Sequence, residues 1–190
     1  IDEKHPLQPQ SPYSASKIAA DALAKSFYCS FGLPVAIIRP FNCFGPRQSL
    51  RAVIPTIISQ ALKNRVIFLG STKPRRDFTY VADTVAGFIR VAESPRSVGE
   101  AINIGTGRDI SIGELAQRIA RIIGTDVRIQ EDKVRKRPAK SEVMCLCADI
   151  RKARSLLKWK PAVSLDEGLS NTIDYIRTHQ EEYRRKGYAI

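Results

Sequence analysis

Near the start of the chain, the segment S-P-Y-S-A-S-K places Tyr13 and Lys17 four residues apart. Residues at that spacing stack on one helix face, with Cβ atoms roughly 6 Å apart, so an ammonium can stand beside a phenol. The chemistry this allows is proton abstraction. A free phenol has a pKa of about 10, so acting as a base near neutrality requires roughly 4 kcal/mol of stabilisation of the phenolate. An ammonium about 6 Å away, in an effective dielectric of about 20, supplies roughly 3 kcal/mol. An ordinary amphipathic helix with a solvated polar face would carry the same two residues, and a Tyr-x-x-x-Lys match alone has little weight.

The other reactive side chains suggest less. Cys29, Cys43, Cys145 and Cys147 lack the C-x-x-C spacing of a zinc site and are too sparse for a disulfide framework, so they are expected to be buried, reduced thiols of a reducing cytosol. His5 and His179 have no partner at metal or triad spacing and read as exposed; no metal site is expected. Asp83 reads as the start of a helix, where backbone N–H groups stabilise a carboxylate. N-I-G-T-G follows a late strand without the spacing of a dinucleotide fingerprint and reads as a turn.

The elements that must position Tyr13 and Lys17 follow from periodicity. Ile18, Ala19, Ala22, Leu23 and Phe27 recur at helical spacing from Pro12 onward, and Gly32 ends that helix. V-A-I-I-R reads as a short strand stopped by Pro40, and F-N-C-F-G-P-R-Q-S as an irregular loop. A helix is predicted over about Ala52 to Lys63, a strand at V-I-F-L-G, a charged turn at S-T-K-P-R-R-D, then F-T-Y-V and a helix to Glu93. A-I-N-I-G is a buried strand. Ser111 and Glu114 have the spacing of a capping box, with Leu115, Ile119, Ile122 and Ile123 on the inner side and Gly124 as the stop. D-V-R-I-Q is a further strand, and Asp149 is expected to cap a short helix to Leu157. A second capping box, Ser164 and Glu167, opens a final helix to about Arg185. Strands alternating with helices predict an α/β fold with a largely parallel sheet.

With 190 residues, 43% hydrophobic and 26% charged, the chain can build one domain, or a domain and a lobe. No apolar run approaches the roughly 18 residues needed to cross a bilayer, and the first residues are too polar for a secretory signal. A soluble, cytoplasmic protein with no membrane partner is expected. The formal net charge of +12 predicts attraction to anions. There is no zinc finger, RNA-recognition signature or basic run interleaved with aromatics, so a phosphate-bearing small molecule is favoured over nucleic acid.

Five segments then occur in a telling order: P-L-Q-P-Q-S-P-Y-S-A-S-K-I-A-A-D, R-P-F-N-C-F-G-P-R-Q, R-D-F-T-Y-V-A-D, N-I-G-T-G and L-K-W-K-P-x-x-S-L-x-E-G-L. Their order and spacing resemble the extended short-chain dehydrogenase/reductase family, and within it the nucleotide-sugar epimerases and 4,6-dehydratases. The resemblance covers nearly the whole chain. It implies the C-terminal part of a Rossmann-type parallel sheet interleaved with a small α/β substrate-binding lobe. Residues 1–50 and about 76–105 would belong to the NAD-binding domain, and about 51–75 and 106–190 to the nucleotide-sugar lobe.

The resemblance also implies roles. Tyr13 would take a proton from a sugar hydroxyl as hydride passes from the sugar carbon to NAD, and Lys17 would also bond the nicotinamide ribose. Pro40 would face the cofactor and Asn42 the sugar diphosphate. Arg76 and Arg137 would hold the diphosphate, because a guanidinium can chelate phosphate oxygens with two parallel hydrogen bonds; without the family, each reads as a solvated arginine. Val53 and Leu69 match positions whose backbone meets the phosphate side and the base.

The chain lacks the glycine-rich turn that seats the NAD pyrophosphate, so by resemblance it is the C-terminal portion of such an enzyme, and alone it is expected to bind NAD poorly and not to turn over. R-P-A-K-S-E-V, where many epimerases have R-P-G-D, resembles the 4,6-dehydratases acting on dTDP-glucose or UDP-N-acetylglucosamine. A 4-epimerase is the alternative, and a non-catalytic sugar-nucleotide-binding or dimerisation module the alternative of another class. A homodimer is expected through the Tyr13/Lys17 helix, using the stripe of Ile18, Ala22 and Phe27.

Overall fold

In a computed structural model, which describes residues 1–136, 138 and 141–183, the first helix, α1, spans Pro12–Phe31. Its start is set by Ser11, whose hydroxyl accepts from the Ser14 N–H while the Ser14 hydroxyl accepts from the Ser11 N–H, with Pro12 at the first helical position. Gly32, at φ 65°, ends it in the left-handed conformation. The half-buried face of α1 carries Ser14, Ile18, Asp21, Ala24 and Tyr28. Asp21 pairs with Arg39 at 2.7 Å and Lys25 donates to the Gly99 carbonyl, also at 2.7 Å, which ties the helix to two separate parts of the chain.

Three parallel strand pairs carry the rest. β1 (Ile37–Pro40) lies beside β6 (Ala101–Ile104), β2 (Asn42–Phe44) beside β5 (Phe78–Tyr80), and β3 (Val66–Leu69) beside β8 (Arg128–Glu131). A three-stranded sheet places β4 (Arg75–Arg76) between antiparallel β7 (Ile110–Ser111) and parallel β9 (Cys145–Leu146). The helices are α2 (Val53–Ala61), α3 (Val81–Glu93), α4 (Ile112–Ile123), α5 (Arg151–Leu157) and α6 (Leu165–Thr178). The predicted α/β alternation is present, divided among short sheets.

The larger core packs Ile54, Ile57 and Ile58 of α2 against Leu115 and Ile119 of α4 and Leu169 and Ile173 of α6, with Phe44 and Ile67 beneath. Each such side chain, fully buried, contributes about 1.5–3 kcal/mol. A smaller core joins Ile102 and Ile104 of β6 to Ala153 and Leu157 of α5 and to Trp159.

Two buried carboxylates lock distant motifs together. Asp77, fully buried, accepts from the backbone N–H groups of Thr106, Gly107 and Ala148 and from the Thr106 hydroxyl. Asp83 accepts from the Ala162 and Val163 N–H groups at 2.8 and 3.0 Å, and its carbonyl accepts from the Trp159 indole at 3.2 Å. R-D-F-T-Y-V-A-D thus ties N-I-G-T-G to L-K-W-K-P. Asp83 does lie in the first turn of α3, but it serves the far loop rather than the N–H groups of its own helix.

Several expectations need correction. F-N-C-F is a strand, β2, because it pairs with β5; the charged turn contains β4 for the same reason. The last helix stops at Thr178 and is followed by a 3-10 turn, Gln180–Tyr183, that buries Tyr183. Ile150, not Asp149, occupies the cap of α5; Asp149 instead accepts from the Arg151 N–H at 2.9 Å. Cys29 and Cys145 are exposed and Cys43 and Cys147 half-buried, all four as free thiols. On α1, Ile18 turns inward, while Ala19, Ala22, Leu23 and Phe27 are exposed. His5 and His179 are exposed, as expected. Among the described residues no helix is long and apolar enough to cross a membrane.

Candidate active site

The carboxyl ends of the parallel strands, where open α/β folds bind ligands, hold two adjoining clefts. The first, of about 340 Å³, is walled by the end of β3 (Leu69, Gly70), the start of α2 (Val53, Ile54), β4 (Arg76), Arg135 and Glu142. The second, of about 510 Å³, is walled by Tyr13, Pro40, Phe41 and Asn103 together with the N-terminal segment, including His5. Asn42 and Cys43 line both clefts. A strand turns successive side chains to opposite faces, and β2 here forms the partition.

Tyr13 is 72% exposed, with its ring at the second cleft. The ammonium of Lys17 lies 5.8 Å from the centre of that ring, so the spacing read from the sequence does bring cation and phenol together. Lys17 reaches the site through Tyr13 and does not line either cleft itself. Pro40 closes β1 at the mouth of the same cleft. The Asn42 side chain is held by donating to the Asp77 carbonyl at 3.0 Å, which fixes the partition to β5.

Asn42, Val53, Leu69 and Arg76, expected on the substrate side, line the first cleft together. The Arg76 guanidinium is mostly buried, donates to the Arg75 carbonyl at 2.9 Å and pairs with Glu142 at 3.1 Å. An anion entering here therefore meets a preoriented guanidinium already shared with a carboxylate. Arg137 lies outside the described residues. Arg135, two positions earlier, lines the cleft and is oriented by Asp132 at 3.1 Å. Sequence alone does not single it out, because K-V-R-K-R-P offers several arginines and no periodicity to choose among them.

Gly70 explains how that loop approaches. A Cβ at position 70 would stand 2.4 Å from the Arg135 carbonyl oxygen, so only glycine lets the two backbones meet. Gln48 and Arg51 also line the first cleft, carried by the chain between β2 and α2; nothing in their sequence context marks them. The N-I-G-T-G turn does cradle an anion, but its N–H groups are occupied by Asp77, so it is not a phosphate seat.

Comparison with known proteins places these features in a family. Residues 1–172 match the family described as GDP-mannose 4,6 dehydratase. An uncharacterised UDP-glucose epimerase of Bacillus subtilis is 34% identical over 93% of this chain and 55% of its own length. The dTDP-D-glucose 4,6-dehydratase of Mus musculus is 33% identical over 100% of this chain and 54% of its own. Among solved structures, UDP-glucuronic acid 4-epimerase from Bacillus cereus, in complex with UDP-glucuronic acid and NAD, superposes with a TM-score of 0.86 at 30% identity, over 94% of this chain and 56% of that one. The chain spans about 55% of the length of the curated relatives it matches.

Proposed function

Given that the chain belongs to the nucleotide-sugar epimerase/dehydratase family of extended short-chain dehydrogenases/reductases, we propose that it carries the proton-abstracting and substrate-holding side of an NAD-dependent enzyme that oxidises a nucleotide sugar at C4. The observation that carries this reading is the junction of the two clefts at Asn42: one contains Tyr13 and the other Arg76 and Arg135.

In this reading the diphosphate lies against Arg76 and Arg135, with backbone at Val53 and Leu69 meeting the phosphates and base. Asn42 positions the sugar at the partition, with its C4 hydroxyl toward Tyr13. Tyr13 acts as the phenolate, a form the neighbouring Lys17 ammonium favours, and becomes the neutral phenol on accepting the hydroxyl proton. Tyr13, Pro40 and Phe41 offer a wall of the size and polarity that suits a nicotinamide ring, and Lys17 can reach a ribose hydroxyl. NAD, when bound, supplies the hydride acceptor. For its pyrophosphate the described residues hold no free glycine-rich turn, so that contact comes from outside them.

We favour a 4,6-dehydratase acting on dTDP-glucose or UDP-N-acetylglucosamine, on the strength of R-P-A-K-S-E-V and of the dehydratase family match. The 4-epimerase reading is kept because a UDP-glucose epimerase is equally similar. Both begin with the same oxidation. We further propose a homodimer through α1, whose outward Leu23, Phe27 and Phe31 are 61%, 44% and 76% exposed; sedimentation of a monomer would refute it.

Titration with UDP and dTDP tests the substrate side. Binding is expected to weaken roughly tenfold, about 1.4 kcal/mol, in Arg76→Lys, which keeps the charge and loses the fork. Undiminished binding in Arg76→Lys and Arg76→Ala alike would overturn the assignment.

A further inference from the structure

A third cleft, of about 830 Å³, shares Phe78 with the first. Arg108 from the turn before β7, Arg121 from α4, and Arg154 and Lys160 from α5 and the chain after it converge on it from three separate parts of the sequence. The carboxylates nearby are already engaged. Asp109 and Glu114 both hold Arg75, and Glu114 also caps α4 by accepting from the Ser111 N–H. Asp166, whose field reaches Arg121, is chelated by both Nε and a terminal nitrogen of Arg118. None of the four converging cationic side chains has a hydrogen bond or ion pair of its own among the described residues.

Arg108, Arg121, Arg154 and Lys160 are exposed around one cleft and repel one another, and an anion between them relieves that repulsion. Ile110, Pro161, Val163 and Leu165 add apolar surface to the same lining. Cationic and apolar side chains lining one cleft suit a molecule with a polyphosphate end and a ring system, and the volume lies within the range of small-molecule sites. The cleft is separate from the one already assigned to substrate: β4 turns Arg75 toward it and Arg76 toward the first cleft, and Phe78 forms the wall between them.

We propose that this third cleft is a second phosphate-ester site, taking a nucleoside polyphosphate with its phosphates among Arg108, Arg121, Arg154 and Lys160 and its base against Pro161 and Val163. The site stands on its own residues and does not depend on the assignment of the first cleft.

Calorimetric titration of the chain with inorganic triphosphate, ATP and UDP at low salt tests it. The double variant Arg121→Glu/Arg154→Glu should weaken triphosphate and ATP binding by roughly tenfold or more while leaving UDP binding within about twofold; Arg76→Ala should do the reverse. Should the double variant lose its native circular dichroism, Arg108→Gln/Lys160→Gln replaces it, with the same expectation. ATP should also bind more tightly than triphosphate. Absence of triphosphate binding, binding that survives both double variants, or binding lost in Arg76→Ala alone would overturn the proposal, as would equal affinity for ATP and triphosphate.

Discussion

The Asp77 carboxylate accepts both the backbone N–H and the hydroxyl of Thr106, at 2.9 and 2.6 Å, and so joins the strand that carries Arg76 to the turn after β6. With Gly107 and Ala148 also donating, one buried side chain satisfies four donors from two segments. Gly105 makes room for this, since a Cβ there would meet the Ala148 methyl at 2.4 Å and Asp77 at 2.8 Å.

Asp77→Ala would take the acceptor from all four donors, the Ala148 N–H being buried. The expected loss of stability is about 3–5 kcal/mol, the range for breaking a buried charged network. Urea denaturation followed by far-ultraviolet circular dichroism measures it, and a loss under about 1 kcal/mol would contradict the locking role.

Asp83 has its own reporter. Trp159 is the sole tryptophan, it is buried, and its indole donates to the Asp83 carbonyl. Asp83→Ala frees the Ala162 and Val163 N–H groups from their acceptor and should loosen the loop around Trp159, shifting its fluorescence emission to the red at unchanged helix content. An emission maximum identical to the parent's would contradict the tie.

These two aspartates also mark what could be read from the sequence. The capping pair Ser111/Glu114 and the glycine stops at Gly32 and Gly124 are local chemistry, and the elements they bound were legible. The motif spacings were legible as a resemblance, but the reason for them was not: Asp77 and Ala148 are 71 residues apart. β2 and β4 were missed because two- and three-residue strands exist only through their partners. In the candidate site, the approach of Lys17 to Tyr13 was legible from spacing and their proposed role only from the resemblance, whereas Arg135 needed the fold, because its loop is brought in by Gly70 from a distant strand.

Gly70→Ala tests that approach. The new methyl must displace the Arg135 carbonyl, which is backbone and cannot swing aside, and Arg135 moves with it. Affinity for UDP should fall roughly tenfold, with stability lowered by about 1–3 kcal/mol. Unchanged affinity would remove Arg135 from the substrate cleft.

A pH dependence follows from Asp149, whose carboxyl is held at about 2, below its ordinary 3.8, by hydrogen bonds from the Arg151 guanidinium and N–H. A folded-state value below the unfolded one gives stability that is complete above about pH 4 and lost as pH falls toward 2. Because the Arg151 side chain is exposed, solvent screens the pair and the contribution is small. Asp149→Asn should therefore be slightly less stable than the parent at pH 7, with the gap closing between those limits; a gap unchanged at pH 2 would contradict the pairing.

Whether Tyr13 accepts the proton from the sugar hydroxyl is decided by Tyr13→Phe in the full-length protein, with nucleotide-sugar turnover and UDP or dTDP affinity measured side by side. Turnover should fall by roughly 10³-fold, about 4 kcal/mol, with nucleotide affinity within about twofold of the parent. Turnover retained within about tenfold would contradict it.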